Sequence, residues 1–464
     1  MAVRARVAHA ALIVKRMAIR FGLAVGTLLV LPACGSDDST AEPVATATVP
    51  TSLPTTVPPL TTTVAPSTTV EAITTTVAPD ASTTTSPSTT VTTTVPPTTT
   101  SAPAATTLVV EETKKVDLDR YDFTAVAPII EDYLTETGLN GAGLIVVERA
   151  DGVVFHDHWG EFGPDRISLI ASSSKMVVAG VLMRLHDEGL LDIDAPVSDV
   201  VAWGSGNPDI TPAQLISNSS GLVGLLPNPA YGPYLCQFFP VGSLQDCAEN
   251  IFNTTDDDAD IVAPDTEFRY GGGQWQVAGA VAEVASGRSW ADLIDEIYVQ
   301  PCGLDVLAFN NPFTQFDAAP FTYPAAFNGD PSTLVVTDNP NLEGGAYTTT
   351  GAYGALLLMH LRDGMCGDHR VLSTKSLTRM HDDRIREAYD GDAWGADMGY
   401  GMGWWIDHGA RRITDGGAFG TQPWLDLEDG YGAYLVVEAT SAHGGELSGK
   451  LHGVIEEAVL GAKG

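Results

Sequence analysis

The fold is decided by residues 170–185, which read Ile-Ala-Ser-Ser-Ser-Lys at 170–175 and Met-Val-Val-Ala-Gly-Val-Leu-Met-Arg-Leu at 176–185. The second stretch is apolar at nearly every position, and this predicts a helix that is buried on all sides. The three serines before it can cap its first turn, where backbone N–H groups lack partners. A lysine at the same place must reach solvent or have its charge used, because a buried unpaired charge is costly. Lys175 therefore singles out this helix start for chemistry.

Ser172 and Lys175 are three residues apart and would share one face of a helix. A serine hydroxyl is a poor nucleophile until a neighbouring group takes its proton, and a partly desolvated lysine can help with that step. At a helix N-terminus the backbone N–H of Ser172 would also point towards developing negative charge. The spacing favours a nucleophilic serine, and the alternative is a set of serines that only cap the helix.

The net charge of the chain excludes one class of function. The 58 acidic residues outnumber the 24 lysines and arginines, which gives a formal charge of −34. A protein that binds nucleic acid through a broad basic face needs the opposite balance. We therefore expect no nucleic-acid partner.

The N-terminal residues read as an export signal. Arg16 and Arg20 precede the apolar stretch 21–33, which is short for a membrane span and ends in Leu-Pro-Ala directly before Cys34. This pattern resembles a bacterial lipoprotein signal, which implies that residues 1–33 are a signal segment and that Cys34 carries lipid. The protein would then be exported and anchored to the extracytoplasmic face of the cell membrane. The alternatives are an uncleaved anchor and an ordinary secretory signal.

The composition then changes to that of a linker. Residues 41–107 are almost only Thr, Pro, Val, Ala and Ser, and Thr-Thr-Thr-Val-Ala-Pro at 61–66 recurs at 74–79. Such a segment cannot bury enough apolar surface to offset the entropy of ordering it. It predicts a disordered, extended stalk over residues 34–110 and a folded domain over residues 111–464.

The cysteines suit an exported protein. With Cys34 assigned to lipid, an even number remains, and proximity in sequence suggests the pairs Cys236 to Cys247 and Cys302 to Cys366. The alternative is four free buried thiols. The spacings do not match a zinc site.

An acidic run at residues 256–260 reads Asp-Asp-Asp-Ala-Asp. Calcium binding is one interpretation, but the spacing and the missing loop glycine do not match an EF-hand. A solvated loop is the favoured interpretation. The histidines show no metal-ligand spacing, so neither a metal nor a cofactor is expected.

The hydrophobic pattern of the folded region predicts strands and helices at both ends with a mostly helical insertion between them. The predicted helices are 121–137, 176–185, a short one opened by Thr211-Pro212 and ended by Gly221, 274–285, 350–361 and 447–460. The predicted strands are 143–147, 153–155, 402–406, 411–414, 423–427 and 432–438. This arrangement favours an α+β fold with an antiparallel sheet formed from both ends of the domain.

Two further stretches supply what serine chemistry needs. Residues 268–275 read Phe-Arg-Tyr-Gly-Gly-Gly-Gln-Trp and place Tyr270 in a glycine-rich turn before a helix, where its ring could enter a cleft. The alternative is a core tyrosine. Residues 413–420 read Ile-Thr-Asp-Gly-Gly-Ala-Phe-Gly between two strands, and these glycines would let a substrate approach the strand edge closely.

The three stretches, taken in this order, resemble the family of class C β-lactamases, D-alanyl-D-alanine carboxypeptidases and serine esterases. That family carries S-x-x-K, then Y-x-N, then a K-T-G, H-x-G or W-x-G triplet. The resemblance covers about residues 120 to 460. It implies a β-lactamase/transpeptidase-like fold with helices flanking the sheet.

The resemblance also implies a role for each matching residue. Ser172 would be the acylated nucleophile and Lys175 its proton-relay partner. Tyr270 would be the base that activates water or protonates the leaving group. The backbone N–H groups of Ser172 and Ala418 would form the oxyanion hole.

Two positions depart from the family pattern. Gly272 stands where the family has asparagine, and Asp415 replaces the basic or aromatic head of the third motif. Together with Gly416 and Gly417 they are the predicted substrate-binding residues. A carboxylate beside the substrate predicts that uncharged short esters react better than anionic peptides or penicillins.

The resulting hypothesis is an exported, membrane-tethered serine hydrolase that acts through an acyl-enzyme on Ser172. An esterase or a D-amino-acid peptidase or carboxypeptidase acting on a small ester, amide or peptide is favoured. The alternatives are a β-lactamase and a catalytically inactive binding module on the same fold.

Overall fold

The computed structural model describes residues 117–207, 209–225, 231–313, 330–389 and 397–463. The predicted signal segment, the predicted stalk and Cys34 lie outside these residues.

A seven-stranded antiparallel sheet forms the centre of the domain, in the order β2-β1-β12-β11-β10-β9-β8. Its strands are β1 (Gly141–Glu148), β2 (Gly152–Gly160), β8 (Met398–Tyr400), β9 (Trp405–Asp407), β10 (Arg412–Thr414), β11 (Thr421–Asp426) and β12 (Tyr431–Val436). Strand β1 is buried along its whole length and lies between β2 and β12, with Leu144 opposite Leu435. The prediction that both ends of the domain build one antiparallel sheet is therefore confirmed.

The remaining strands of the described residues form two small sheets. One has the order β3-β5-β4 and the other pairs β6 with β7. Their bounds are β3 (Ile167–Leu169), β4 (Leu307–Phe309), β5 (Ala346–Thr349), β6 (Met365–Cys366) and β7 (His369–Arg370).

Helices cover both faces of the large sheet. They are α1 (Val126–Thr137), α2 (Lys175–Asp187), α3 (Pro212–Leu215), α4 (Leu244–Asn253), α5 (Gly273–Ser286), α6 (Trp290–Ile294), α7 (Gln300–Cys302), α8 (Thr350–Leu361), α9 (Thr374–His381), α10 (Arg384–Tyr389) and α11 (Ser441–Lys463). Helices α1 and α11 share an apolar cluster with one face of the sheet. Helix α8 packs on β1 and β12 from the side that holds the larger core cluster with α2 and α5.

Helix α2 is the buried helix predicted from residues 176–185. Every residue of that stretch is buried except Arg184, which is partly exposed. The core therefore encloses most of the helix, including its first residue, Lys175, and only its C-terminal end reaches the surface, at Arg184, His186 and Asp187.

Three predicted elements were wrong in their extent. The helix predicted over 121–137 begins only at Val126. Residues 402–406 are not one strand, because Gly403 adopts a positive φ of 77° in a turn between β8 and β9 that passes against the start of α2. The helix opened by Thr211, whose capping box is present, stops at Leu215 and does not continue to Gly221. Asn218 has a positive φ of 56° there, which a helix cannot contain.

Both predicted disulfides are present, Cys236 to Cys247 and Cys302 to Cys366. The first ties a 3₁₀ helix (Gly232–Phe238) to α4, and the second ties the end of α7 to β6.

The acidic run is only partly a solvated loop. Asp256, Asp258 and Asp260 are exposed, but Asp257 is fully buried and accepts a short hydrogen bond from the Tyr234 hydroxyl. Burial raises the pKa of Asp257. The prediction of a solvated loop was therefore wrong for this residue, because the run begins with a 3₁₀ turn that directs one of its side chains inward.

Within the ranges given above, we find no helix that combines the length and the apolar character needed to cross a bilayer.

Candidate active site

The predicted nucleophile lies in a tight turn between β3 and α2. Ala171 begins a 3₁₀ turn (Ala171–Ser174) with a positive φ of 46°. Ser173 and Ser174 are buried and structural: Ser173 Oγ donates to the Asp415 carbonyl at 2.7 Å, and Ser174 Oγ donates to the Ala171 carbonyl at 2.6 Å. Ser172 is partly exposed. Of the three serines, Ser172 is therefore the one that a substrate can reach.

Lys175 is fully buried beneath Ser172. Its ammonium group donates to Ser172 Oγ at 3.1 Å and to the Glu343 carbonyl at 2.8 Å. It also lies 4.6 Å from the centre of the Tyr270 ring, within the range of a cation–π contact. Ser172 and Lys175 are thus in contact, as their spacing of three residues predicted.

The surroundings keep this lysine charged. Burial acts to lower the pKa of Lys175, but the nearby Tyr270, Glu343 and Asp415 outweigh burial and raise the pKa above its ordinary value. An ammonium ion at this place donates a hydrogen bond to Ser172 Oγ and stabilises negative charge that develops there.

Tyr270 lies in the turn before α5 and is half-buried beside the same two residues. Its hydroxyl group lies close to the polar groups of Lys175 and Ser172. Burial raises the pKa of the Tyr270 phenol, and the Lys175 charge offsets this only in part. Ser172, Lys175 and Tyr270, predicted from three separated motifs, are in mutual contact.

Two backbone N–H groups beside Ser172 are free to receive an oxyanion. Among the described residues, neither the Ser172 N–H nor the Ala418 N–H donates a backbone hydrogen bond. The two loops are tied together, since Thr421 Oγ1 donates to the Ile170 carbonyl at 2.9 Å. Gly417 lies so close to that carbonyl that a side chain there would collide with it. The loop that carries Ala418 is thus packed directly against the segment that carries Ser172.

Asp415 does not border the cleft as predicted. It follows β10, where the chain turns inward, and its side chain is fully buried. Its carboxyl group is close to the N–H groups of Lys175 and Met176 at the start of α2, but without a well-aligned hydrogen bond. Burial raises the pKa of Asp415 well above its ordinary value. Asp415 therefore acts on the site from below and does not contact a substrate directly.

The arginines before Asp415 do not compensate its charge. Arg411 forms ion pairs with Glu428 and Asp429, and Arg412 forms one with Glu456. Both side chains are therefore committed to other parts of the domain.

Gly272 is also buried, which corrects its predicted role in substrate binding. A side chain at this position would collide with Gln237 Oε1 and with the Glu343 carboxyl group. The space that the family fills with asparagine is thus filled from two other segments. Of the predicted substrate-binding residues, Gly416 is the partly exposed one, whereas Gly417 is buried.

Sequence reasoning missed Glu343, Gln237 and an aromatic cluster. Glu343 reaches Lys175 from the segment before β5, and no sequence spacing relates the two. Trp405 stacks on Tyr270 with ring centres 5.6 Å apart, and Tyr400 and Phe268 pack around the same ring. The consecutive Trp404 and Trp405, which follow the glycine-rich segment 399–403, were the one sequence signal for this cluster.

Comparison with known proteins identifies the family. The beta-lactamase family model matches residues 126–451, more than half of the chain. A penicillin-binding protein 4 from Amycolatopsis lactamdurans is 27% identical over 358 residues, covering 69% of this chain and 88% of the relative.

Solved structures agree with this result. A protein assigned as a beta-lactamase from Bacteroides dorei is 26% identical, with a TM-score of 0.58 over 72% of this chain and 99% of its own. EstCE1, described as a hydrolase with promiscuous acyltransferase activity, shares the fold at 18% identity, with a TM-score of 0.57 over 72% of this chain and 97% of its own. With the family model, these likenesses show that the chain belongs to the beta-lactamase family and is a serine hydrolase of the β-lactamase and penicillin-binding-protein type.

Proposed function

We propose that the chain hydrolyses small esters, amides or D-amino-acid peptides through an acyl-enzyme on Ser172. The observation that carries the proposal is the contact of Ser172 with both Lys175 and Tyr270. Lys175 Nζ lies 3.1 Å from Ser172 Oγ, and the Tyr270 hydroxyl lies beside both residues. Such a contact supplies a route for the serine proton and a charge for the developing alkoxide.

In the acylation step, Ser172 Oγ attacks the substrate carbonyl and its proton passes to the Tyr270–Lys175 pair. The N–H groups of Ser172 and Ala418 bind the oxyanion. The pair then returns the proton to the leaving group as the ester or amide bond breaks. Water attacks the acyl-enzyme by the same route in reverse, which restores Ser172 and releases the acid.

The pair must lack one proton to act as the base. Since the pKa values of both Lys175 and Tyr270 are raised, the proton-deficient form is a minor species at neutral pH. The protons belong to the pair and not to either residue alone. The rate of acylation should therefore rise with pH through the neutral and mildly alkaline range.

Apolar surfaces on two sides of Ser172 support uncharged substrates. One side carries the partly exposed rings of Phe268 and Trp405 beside Tyr270. The other carries a small apolar cluster in which Ala418 and Phe313 are partly exposed. Apolar acyl and leaving groups would bury surface against both.

The proposal is tested by intact-mass measurement after treatment with a fluorophosphonate. We expect one adduct on wild type, none on Ser172→Ala, and an unchanged adduct on the control Ser173→Ala. The control should unfold more easily, by about 1–3 kcal/mol, because its buried partners lose a hydrogen bond. An adduct that persists in Ser172→Ala would disprove the assignment.

The same experiment separates the hydrolase from an inactive binding module. If wild type forms no adduct with a fluorophosphonate or with a fluorescent penicillin, the binding module is the better interpretation. Rapid, complete turnover of the penicillin would favour a β-lactamase.

We also propose that the protein is exported and tethered through lipid on Cys34. The lipoprotein-like pattern at residues 31–34 and the two disulfides support an extracytoplasmic location. Membrane fractionation of a Cys34→Ala variant tests the anchor. Release of the variant into the medium is expected, and continued retention in the membrane would contradict the lipid anchor.

A further inference from the structure

The space next to Gly272 is filled by two side chains that no motif predicts. Gln237 comes from the 3₁₀ helix (Gly232–Phe238), and Glu343 comes from the segment before β5. A Cβ atom on residue 272 would collide with the end of each. The φ of Gly272 is −76°, which any residue adopts, so the absence of a side chain reflects this occupied space and not the backbone.

Glu343 contacts Lys175 through two groups. Its backbone carbonyl accepts from Lys175 Nζ at 2.8 Å, and its carboxyl Oε2 lies 3.9 Å from the same nitrogen. The exposed fractions of the two side chains are 7% for Glu343 and 0% for Lys175. A contact so well shielded from water restricts where the ammonium group can sit.

Gln237 in turn fixes Glu343. Gln237 Oε1 is buried and finds no hydrogen-bond donor among the described residues, yet it lies in the same small space as Glu343 Oε1. A buried acceptor without a donor is costly, and two arrangements would give Gln237 Oε1 a partner in Glu343. Either the Glu343 carboxyl carries a proton and donates it, which burial favours by raising its pKa, or the amide is turned and donates through Nε2. In either arrangement a hydrogen bond would join the two side chains, which pack together beside Gly272.

We propose that Glu343, held by Gln237, is a positioning residue that keeps the Lys175 ammonium beneath Ser172 Oγ. The pair takes over the place of the asparagine that the second motif lacks. The inference rests on the proposed acyl-enzyme on Ser172. On this inference, Glu343 and Gln237 replace the missing asparagine, so its absence does not indicate a loss of activity.

The test compares rates of fluorophosphonate labelling in the full chain. Glu343→Ala should label about 30-fold more slowly than wild type, because Lys175 loses its side-chain contact. Glu343→Gln should stay within about threefold, since an amide can still accept from Lys175 and donate to Gln237. Gly272→Asn alone should slow labelling, because its side chain enters occupied space.

The decisive variant is Gly272→Asn combined with Glu343→Ala. The asparagine then enters the space that Glu343 has left and can contact Lys175, so labelling should recover about tenfold over Glu343→Ala. Thermal unfolding of all four variants is the control, because a merely structural role would lower the melting temperature in parallel with the rate. Should Glu343→Ala fail to fold, Glu343→Leu, which fills the volume, takes its place with the same expected loss.

The outcomes separate the two proposals. If wild type is labelled, and Glu343→Ala or Glu343→Leu is labelled at the same rate as wild type, the inference is overturned and the proposed function stands. A double variant no faster than Glu343→Ala also overturns it. An unlabelled wild type overturns the proposed function and the inference with it.

Discussion

Two clusters of titratable side chains in the core differ in whether they contain charged groups. The active-site cluster consists of Lys175, Tyr270, Glu343 and Asp415, and the histidine pair consists of His360 and His381. The consecutive Trp404 and Trp405 connect them, since the Trp404 ring contacts both histidines and the Trp405 ring stacks on Tyr270.

The active-site cluster encloses groups of both signs, whereas the histidine pair encloses two neutral rings. His360 Nδ1 lies 2.9 Å from His381 Nε2, so one ring donates to the other. Burial lowers the pKa of both, that of His381 to about 4. In the active site, Tyr270 and the two carboxyl groups instead raise the pKa of Lys175 against the effect of burial. The comparison shows that a buried charge is kept where the proposed reaction uses it.

The largest effect is expected from Lys175→Met. Acylation of Ser172 should fall by at least about 10³-fold, because the serine loses its charged partner. The free energy of unfolding should change little: the buried carboxyl groups, whose pKa values burial already raises, take up protons when the ammonium is removed. Labelling kinetics and urea unfolding measure the two quantities. A strongly destabilised protein that still labels at a normal rate would break the comparison.

A smaller effect is expected from acid on the histidine pair. Between the ordinary pKa of 6.5 and the lowered value of about 4, the unfolded chain binds protons at His381 that the folded chain does not. The free energy of unfolding should therefore fall as the pH falls, by about 2 kcal/mol at pH 5 from His381 alone. His381→Leu should flatten this dependence and leave labelling of Ser172 at pH 7 unchanged. NMR titration of the His381 imidazole provides the check. Titration of this ring near pH 6.5 would contradict the prediction.

The smallest effect is expected from Asp415→Asn. Asp415 raises the pKa values of both Lys175 and Tyr270, so its removal lets the pair lose a proton more easily. The rise of the labelling rate with pH should therefore move to lower pH. Labelling rates from neutral to alkaline pH measure the shift. A rise displaced to higher pH would show that Asp415 does not act through this pair.

The same variant tests substrate selectivity. Asp415 is fully buried and the Lys175 charge lies beside it, so the ratio of kcat/KM for a neutral aryl ester to that for an anionic cephalosporin should hardly change in Asp415→Asn. A large change would restore the expectation that this carboxylate faces the substrate.

The features that could be predicted from the sequence are those that depend on residues close together in the chain. Ser172 and Lys175 stand one helical turn apart, and Tyr270 stands in a turn of consecutive glycines, so their chemistry is visible in the chain itself. The closing of the sheet by both ends followed from the change of hydrophobic period. Glu343 was out of reach, because it meets Lys175 across 168 positions of the chain and no spacing rule links them. The burial of Asp415 was missed because strand alternation ends at Thr414, and the inward turn after it depends on packing against α2.

The sheet order has a consequence for the timing of folding. Strand β1 is made early but has β12, the last strand, as its second neighbour. When synthesis has reached residue 410, Ser172, Lys175 and Tyr270 all exist, but Ala418 and the strand that closes the sheet do not. Pairing across so long a stretch of chain is slow and must wait for the C-terminus. We therefore expect a growing chain that has not reached β12 to be inactive, because it lacks both Ala418 and the strand that joins the two parts of the sheet.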